Sequence, residues 1–198
     1  MILSEQMLKS SGVLLSSMPS LSDEAWLAGL IDGEGCFFVR FDSRYGNFEP
    51  QFGVALNTGP WSVRVEKILD EARIHYGKST SRKMTKIAVS GWQHIESLCR
   101  LLEPLSSVKH PHISILLEAS TSPPLVSYLW HDGGKRWFRR INWSDAERAM
   151  ILKENLSAQN AKNGHTIWTR EKITSVLQAR DWKPSSWRYR RPTRASLG

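Results

Sequence analysis

The sequence predicts an α+β protein in which helices cover one side of an antiparallel sheet. Two segments, 36–56 and 75–90, alternate apolar and polar residues, and each breaks into two short runs as a β-hairpin does. Apolar residues spaced three and four apart before, between and after these segments indicate helices. The predicted order of elements is therefore α-β-β-α-β-β-α-α.

The overall composition is that of a globular chain with room for one sizeable core. Of its 198 residues 40% are hydrophobic, and no run of eighteen apolar residues predicts a membrane span. Cys36 and Cys99 are too few for a disulfide framework. This favours a reducing compartment, such as a bacterial or phage-infected cytoplasm or an organelle. The N-terminus does not read as a secretory signal, so we expect a protein that is not secreted.

The net charge of +8 is concentrated in the last third of the chain. Residues 1–130 hold 12 Lys and Arg against 13 Asp and Glu, whereas residues 131–198 hold 15 against 6. The aromatic residues interleaved with this basic segment are Trp137, Phe138, Trp168, Trp182, Trp187 and Tyr189. A solvated charged surface is one explanation of the excess. The interleaved aromatics favour the other, a nucleic-acid partner.

The first helix and the first two strands are the most clearly patterned elements. The helix is predicted from Ser22, a favourable N-cap, to about Asp32, after a Ser-rich leader at 1–20 that we expect to be mobile. Strands are predicted at 36–45 and 48–56, joined by the turn signal Gly46-Asn47. Their shared apolar face comprises Phe37, Val39, Phe41, Phe48, Phe52 and Val54. Their polar face comprises Arg40, Asp42, Arg44, Asn47, Glu49 and Gln51. Such a face suits the reading of base edges in a major groove, which admits a two-stranded ribbon; the alternative is a merely solvated face.

The second half of the core repeats the same arrangement. A helix is predicted from Thr58 to about Arg73, and further helices at 92–102 and 108–120. The apolar stripe of the first of these helices comprises Val63, Ile68, Leu69 and Ala72. The second hairpin is predicted at 75–81 and 84–90. Its outward-pointing candidates for DNA contact are Lys78, Thr80, Arg82 and Lys86.

Pro123-Pro124 marks the predicted boundary of a core at 21–122. A helical extension that contacts DNA is predicted at 123–182, followed by a basic tail at 183–198 that we expect to be disordered without DNA. The pattern at 125–143 assigns no element. A capping box at 144–147 opens a helix to about Gln159, and Thr169 caps a last helix.

The stretch at 27–35, Leu-Ala-Gly-Leu-Ile-Asp-Gly-Glu-Gly, combines a small-residue helix face with two acids. Ala25, Gly29 and Gly33 fall four residues apart, so one side of the helix is almost bare backbone and allows a second helix to approach closely. Asp32 and Glu34 lie at the C-terminal end, where a carboxylate opposes the helix dipole. A divalent cation is a natural compensating charge.

This stretch resembles the signature motif of the LAGLIDADG homing endonucleases. The resemblance implies an α-β-β-α-β-β-α core with a saddle-shaped antiparallel sheet. A single copy of the motif implies a homodimer that packs through Ala25, Gly29, Asp32 and Gly33. It also implies metal binding by Glu34 and Gly33, with Mg²⁺ as cofactor and Mn²⁺ able to substitute. The implied activity is a double-strand break in a long pseudo-palindromic DNA site that leaves short 3′ overhangs.

Segment 102–109 is similar to the segment that carries the active-site lysine in chloroplast-intron members of this family, so Lys109 is a catalytic candidate. The water-positioning Gln of those members falls on Leu56 in the direct register and on Asn57 after a one-residue shift. The basic residue that follows it there falls near Pro60 and Trp61, which leaves Arg64 as a weak substitute. The C-terminal loop implies phosphate contacts from Lys162, Asn163, His165 and Thr166.

Two other functions are alternatives for this fold. An intron-RNA-binding maturase with the same fold would be marked by loss of the acid or the lysine, yet Glu34 and Lys109 are both present. A transcription regulator derived from the same fold would carry a recognisable separate DNA-binding domain. No nucleotide cofactor is expected, because Gly77-Lys78-Ser79 resembles only the end of a P-loop and lacks its first glycine. His110 and His112 have no third metal ligand near them in sequence.

Overall fold

The structure, a computed structural model, describes residues 19–42, 46–131, 137–159 and 169–180, which form six helices and six strands. The helices are α1 (Leu21–Glu34), α2 (Pro60–Glu71), α3 (Trp92–Leu102), α4 (His110–Ser120), α5 (Trp143–Gln159) and α6 (Arg170–Arg180). The strands are β1 (Cys36–Asp42), β2 (Asn47–Asn57), β3 (Gly77–Thr80), β4 (Met84–Ser90), β5 (Ser127–His131) and β6 (Trp137–Ile141). None of these helices is long and apolar enough to cross a membrane.

The first four strands form one antiparallel sheet in the order β1-β2-β4-β3. Alternate residues of its three longer strands are buried, as the period-2 pattern predicts. The buried apolar residues of this face are Phe37, Val39, Phe41, Phe48, Phe52, Val54, Leu56, Ile87 and Val89. Helices α1, α2 and α3 contact the sheet, and its other face is left open. The predicted fold class and element order are confirmed.

The start of α1 lies two residues earlier than predicted. Ser20, not Ser22, is the N-cap, because its backbone is extended and its Oγ accepts a hydrogen bond from the backbone N–H of Asp23 at 3.1 Å. Ser20 Oγ also lies 3.0 Å from Oδ2 of Asp23. The helix continues to Glu34 rather than ending near Asp32, so both acids of the motif are helical.

The predicted membership of the apolar stripe of α2 was partly wrong. Val63 is 62% exposed, and Val65 is buried instead beside Ile68 and Leu69. The helix begins at Pro60, so residues 65, 68 and 69 share the side that faces the sheet, and Val63 lies on the outer side.

Residues 127–141, which the pattern left unassigned, contain the antiparallel hairpin β5–β6. The N-cap of α5 is Asn142, and not the Ser144 of the predicted capping box. The side chain of Asn142 accepts from the backbone N–H of Asp145 at 3.2 Å and donates to Oδ2 of Asp145 at 2.9 Å. Thr169 caps α6 as predicted, since its hydroxyl accepts from the backbone N–H of Lys172 at 3.3 Å.

Helix α5 packs against β1, the edge strand of the sheet. Lys153 Nζ donates a hydrogen bond to the carbonyl oxygen of Val39 at 2.8 Å, and burial lowers the pKa of this lysine. Ala146, Leu156 and Leu177 belong to the same hydrophobic cluster as the sheet and its helices. The extension therefore shields a strand edge that could otherwise pair with another chain. The boundary at Pro123-Pro124 stays a prediction.

Candidate functional site

The acidic end of α1 lies at the point where the chain turns from the helix into the sheet. Glu34 is the last helical residue and is exposed, and within the described residues no hydrogen bond or ion pair engages its carboxylate. Gly35 follows it, and a Cβ at that position would lie 2.8 Å from side-chain atoms of Ile31 and Phe52. The close approach of helix and strand therefore requires a glycine here.

The other acid of the motif, Asp32, binds the start of α4. Its Oδ1 accepts from Ser106 Oγ at 2.5 Å and from the backbone N–H of Lys109 at 3.0 Å. Its Oδ2 accepts from the backbone N–H groups of Ser107 at 2.9 Å and Val108 at 3.2 Å, and from Ser107 Oγ at 3.2 Å. Partial burial alone would raise the pKa of Asp32, but these hydrogen bonds outweigh it and hold the pKa well below its usual range. Both oxygens are committed to this network, which makes Asp32 a positioning residue.

This network fixes Lys109 close to the acidic end of α1. Lys109 is the N-cap of α4, and its backbone N–H is one of the five donors to Asp32. Burial raises the pKa of the Cys36 thiol, and the positive charge of Lys109 opposes that rise. Lys109 thus lies at Asp32, two residues before Glu34, since its backbone N–H binds the Asp32 carboxylate. Within the described part of the chain, no acid forms an ion pair with it.

The end of β2 forms the other wall of this region. Asn57 is exposed at the last position of the strand and lines an open cleft of about 550 Å³ together with Glu34. Leu56, the alternative in the direct register, is only 8% exposed and lies opposite the buried Thr85. The cleft also has an apolar wall of Leu30, Pro60, Trp61 and Met84. Leu56 and Asn57 both line this cleft, but of the two only Asn57 brings an exposed polar side chain to it.

The small-residue face of α1 is open. Ala25, Gly29 and Gly33 are all exposed, and a Cβ added at either glycine would meet nothing within 4 Å. Leu21 continues the same line of positions and is 71% exposed. The opposite side of the helix carries its buried residues Leu27, Ala28 and Ile31. A helix that is apolar on both sides and covered on only one has room for a second helix against it.

One protomer does not contain a complete metal centre in the part that the structure describes. No group of three His, Cys, Asp or Glu side chains there could hold an ion. The Glu34 carboxylate and the Gly33 carbonyl are oxygen donors of the kind that Mg²⁺ prefers. These donors fit a hard cation only if further oxygens come from outside the protomer, such as a second Glu34, phosphate or water.

The open face of the β1–β2 hairpin is polar, as the sequence predicts. Arg40 lies opposite Glu49, and Asp42 lies opposite Asn47. Gln51 Nε2 donates to Oε2 of Glu49 at 3.2 Å. These residues all lie away from the buried phenylalanines. Arg44 and the predicted phosphate contacts at 162–166 lie outside the described residues.

The second hairpin departs from the prediction. Lys78 pairs with Ile87, and Thr80 pairs with Thr85; both partners are buried, and cross-strand partners point to the same face. Lys78 and Thr80 therefore lie on the helix side, where Lys78 Nζ is 2.8 Å from Oε2 of Glu66 on α2. The structure thus contradicts their predicted outward orientation, and their contact with DNA stays a prediction. Lys86 does lie on the open face, opposite Ala55, and Arg82 is exposed in the turn before β4.

The open face also carries larger or polar residues that were not identified from the sequence, among them Phe38, Ser79, Met84 and Ser90. For Phe38 the period-2 alternation was the available signal, since it follows the buried Phe37 and precedes the buried Val39. It is 37% exposed and lies opposite Gln51. For Ser79 the sequence offered no such signal, because β3 is Gly-Lys-Ser-Thr and has no apolar residue to mark a buried face.

Arg64 does not supply a cation near Glu34. Its Nε and Nη2 donate to Oδ1 of Asp23 at 2.9 and 2.7 Å, and its guanidinium lies 4.3 Å from the centre of the Trp26 ring. The hydrogen bond from Arg64 is the main reason that the pKa of Asp23 is lowered. Asp23 and Glu34 are separated by roughly 16 Å of helix. Lys109 is therefore the basic residue that the structure brings to the acidic end.

The sequence matches no protein-family model and no curated protein. Among solved structures, the homing endonuclease I-CvuI, in complex with a DNA target and Mg, is similar with a TM-score of 0.62 and 18% identity over 81% of this chain and 97% of its own. The same enzyme with its target and Ca gives a TM-score of 0.59 at 16% identity, with the same coverage of both chains. The archaeal intron-encoded homing endonuclease I-Vdi141I, in complex with DNA, gives 0.53 at 15% identity over 79% of this chain and 93% of its own. The chain has the fold of the LAGLIDADG homing endonucleases, and the resemblance of the 27–35 motif is confirmed at the level of the fold.

Proposed function

We propose that this chain, which has the fold of the LAGLIDADG homing endonucleases, is a homodimeric, Mg²⁺-dependent, site-specific DNA endonuclease of a mobile intron or intein. The carrying observation is the Asp32 network, which holds Lys109 beside the helix end that presents Glu34. Glu34, Lys109 and Asn57 are polar groups with no partner among the described residues, so they are available to a ligand. The similar structures of I-CvuI and I-Vdi141I are complexes with DNA, in keeping with that ligand.

A second copy of the chain completes the proposed site. The exposed line of Ala25, Gly29 and Gly33 accepts the same face of a second α1, as small residues allow. A two-fold axis between the helices brings two Glu34 side chains near one another. The partner copy thus supplies the oxygens that one protomer lacks, and the paired acids lie between two scissile phosphates.

In the proposed reaction, water attacks phosphorus and one P–O bond of the phosphodiester breaks. Bound Mg²⁺ would lower the pKa of water and stabilise the developing charge on the leaving oxygen. Glu34 and the carbonyl of Gly33 would hold the ion. Asn57 positions the attacking water, Lys109 neutralises charge on the phosphate, and Asp32 holds Lys109 in place through the start of α4.

Recognition of the DNA site is assigned to the open face of the sheet. A hairpin face of Arg40, Glu49 and Gln51 can donate to and accept from base edges in the major groove. The two-fold axis makes the site pseudo-palindromic, with one half-site per protomer. Lys162, Asn163, His165 and Thr166 stay proposed phosphate contacts, and short 3′ overhangs are the expected product.

The test uses a supercoiled plasmid that carries the intronless form of the DNA flanking the gene. We expect a linear product with Mg²⁺ and none after EDTA. Glu34→Gln should lower cleavage at least 100-fold, whereas Glu103→Gln should not, since Glu103 is an exposed carboxylate at the C-terminal end of α3. Full cleavage by Glu34→Gln, or cleavage in EDTA, would contradict the proposal. Tight binding of intron RNA with no DNA cleavage would instead support the maturase function.

A further inference from the structure

The cleft beside Glu34 has an apolar wall that the proposed reaction does not use. Its members are Leu30, Pro60, Trp61 and Met84. The largest of them, Trp61, is 59% exposed, and Met84 is 37% exposed. Exposed apolar surface beside polar groups is typical of a binding site, and here Glu34 and Asn57 are the polar neighbours. The wall is therefore a candidate contact for the ligand of this cleft.

Trp61 is the second residue of α2, and protein holds it on one side only. The buried Ser62 next to it ties the first turn of the helix, since its Oγ accepts from the backbone N–H of Gly59 at 3.4 Å and donates to the carbonyl of Gly59 at 2.9 Å. The ring of Trp61 packs against that of Trp26 on α1, with 5.8 Å between the ring centres. The indole thus has a fixed position, although more than half of its surface is open.

The wall lies at the border of the DNA-facing surface. Asn57 and Met84 pair in the register, and both lie on the open face of the sheet. Thr58 is tied to the turn before β4, because its backbone N–H donates to the carbonyl of Lys83 at 3.1 Å and its hydroxyl to the carbonyl of Ser81 at 3.2 Å. The cleft is therefore continuous with the open face and has a fixed edge.

Trp61 lies near the DNA backbone that Glu34 meets in the proposed reaction. Trp26 and Glu34 are eight residues apart on α1, about 12 Å along the helix, and Leu30 lies halfway between them. Trp61 contacts Trp26 and lines the cleft together with Leu30 and Glu34. The indole is therefore within about three base pairs of the phosphate at Glu34.

The minor groove is the part of the duplex that faces this wall. In the proposed dimer the two sheets lie in successive major grooves on one side of the duplex, as the halves of other dimeric DNA-binding proteins do. The groove between them on that side is the minor groove, and it faces the paired α1 helices. An uncharged indole gains little from a phosphate, but it packs well on sugars and base edges.

We infer that Trp61 enters the minor groove beside the scissile phosphate and packs against its sugars and base edges. The N2 amino group of guanine projects into this groove, whereas A·T pairs have no group at that position. The indole therefore fits beside A·T pairs and is obstructed by the amino group of G·C pairs. Trp61 is thus a specificity-determining residue for the pairs next to the cleaved bond. The inference rests on the proposed DNA-binding function.

The experiment measures Kd in EDTA for a duplex of the intronless DNA that flanks the gene. Trp61→Ala should weaken binding by the full chain about tenfold, the size of one aromatic contact with a base. Trp61→Phe keeps an aromatic ring and should retain most of the affinity. A second duplex carries 2,6-diaminopurine for every adenine in its middle, which adds the amino group to the minor groove and leaves the major groove unchanged. It should weaken wild-type binding about fivefold and leave binding by Trp61→Ala unchanged.

The matched control is Val63→Ala, which removes an exposed apolar side chain from the outer side of the same helix. Its Kd for both duplexes should equal that of the wild type. Thermal unfolding checks that each variant is folded, and sedimentation checks its oligomeric state. If Trp61→Ala does not fold, Trp61→Gln takes its place, because the aliphatic part of glutamine can still cover Trp26.

Equal Kd values for the wild type and Trp61→Ala would overturn the inference. A wild type that binds both duplexes equally would also overturn it, as would a Trp61→Ala variant that loses the dimer, since the ring would then contact the second copy. Cleavage of the plasmid with either result would leave the endonuclease intact and remove only the groove contact. A loss of affinity confined to the Trp61 ring and the minor-groove amino group, without Mg²⁺-dependent cleavage, would support the contact and remove the endonuclease. Binding of RNA but not duplex DNA would overturn both.

Discussion

Asp32→Asn tests the positioning of Lys109 by a change of nearly constant shape. Asparagine retains one acceptor oxygen, so the interactions of Oδ1 with Ser106 and Lys109 can persist. The new amide group faces the backbone N–H groups of Ser107 and Val108, which donate to Oδ2 in the wild type. Hydrogen bonds to a charged acceptor contribute about 1.5–3 kcal/mol each, and neighbouring bonds are not additive. We expect the free energy of unfolding at pH 7 to fall by about 2–4 kcal/mol.

The pH dependence has a definite sign. The pKa of Asp32 is lower in the folded protein than the unfolded value of 3.8. A depressed folded pKa stabilises the fold above the unfolded pKa, and this contribution is lost as the pH falls toward the folded pKa. The difference in unfolding free energy between the wild type and Asp32→Asn should therefore be full at pH 7 and smaller at pH 3.

The assay is urea unfolding followed by tryptophan fluorescence at these two pH values. Asp70→Asn is the control, since Asp70 is an exposed carboxylate on α2 whose one hydrogen bond in the described structure is a 3.4 Å contact from Tyr76. It should change stability by no more than about 0.5 kcal/mol. Two results would contradict the conclusion that the Asp32 hydrogen bonds stabilise the start of α4. One is a loss of unfolding free energy below about 0.5 kcal/mol for Asp32→Asn at pH 7. The other is a loss at pH 3 equal to the loss at pH 7.

Three further predictions concern the site and its assembly. Gly29→Leu should fold as stably as the wild type, because a Cβ added at this exposed position would meet nothing within 4 Å, yet sediment as a monomer; an unchanged dimer would place the interface elsewhere. Lys109→Met should lower cleavage at least 100-fold while Kd for DNA changes little, and a parallel loss of binding would make Lys109 a binding residue only. Lys86→Gln should reduce the slope of log K for DNA binding against log salt by about 0.9, because Lys86 lies on the open face. Lys78→Gln should leave this slope unchanged, because Lys78 lies on the helix side of the sheet. Equal effects of the two substitutions would contradict the register of β3 and β4.

Element order and the polar face of β1–β2 were predictable because their alternation is strong. Phe37, Val39 and Phe41 must share the buried face, which fixes the opposite position of Arg40. Strand β3, Gly-Lys-Ser-Thr, has no apolar residue, so its pattern does not specify a face. Pairing with β4 decides it, and Lys78 consequently lies beside Glu66.

The helix starts show a similar limit. Ser20 and Ser22 are both good caps, and the pattern alone does not choose between them. The choice follows from which serine is extended and reaches the N–H of Asp23, while the same aspartate accepts from Arg64, 41 residues later. At α5 the N-cap is Asn142 and not the predicted Ser144. The backbone N–H of Asn142 donates to the carbonyl of Val126, so the helix begins directly after the β5–β6 hairpin.

By itself, the sequence determined that a small-residue helix presents two acids at its end, because that information is local. The resemblance of the motif implied metal binding by Glu34 and a structural role for Asp32, but the local pattern gave no partner for either carboxylate. The donors to Asp32 lie 74 to 77 residues further along the chain, and only the tertiary structure brings the connection between α3 and α4 within hydrogen-bond distance of this end of α1. Glu34 has no such partner in the described structure and stays exposed. Long-range packing therefore decided that Asp32 positions the lysine and that Glu34 is available to a ligand.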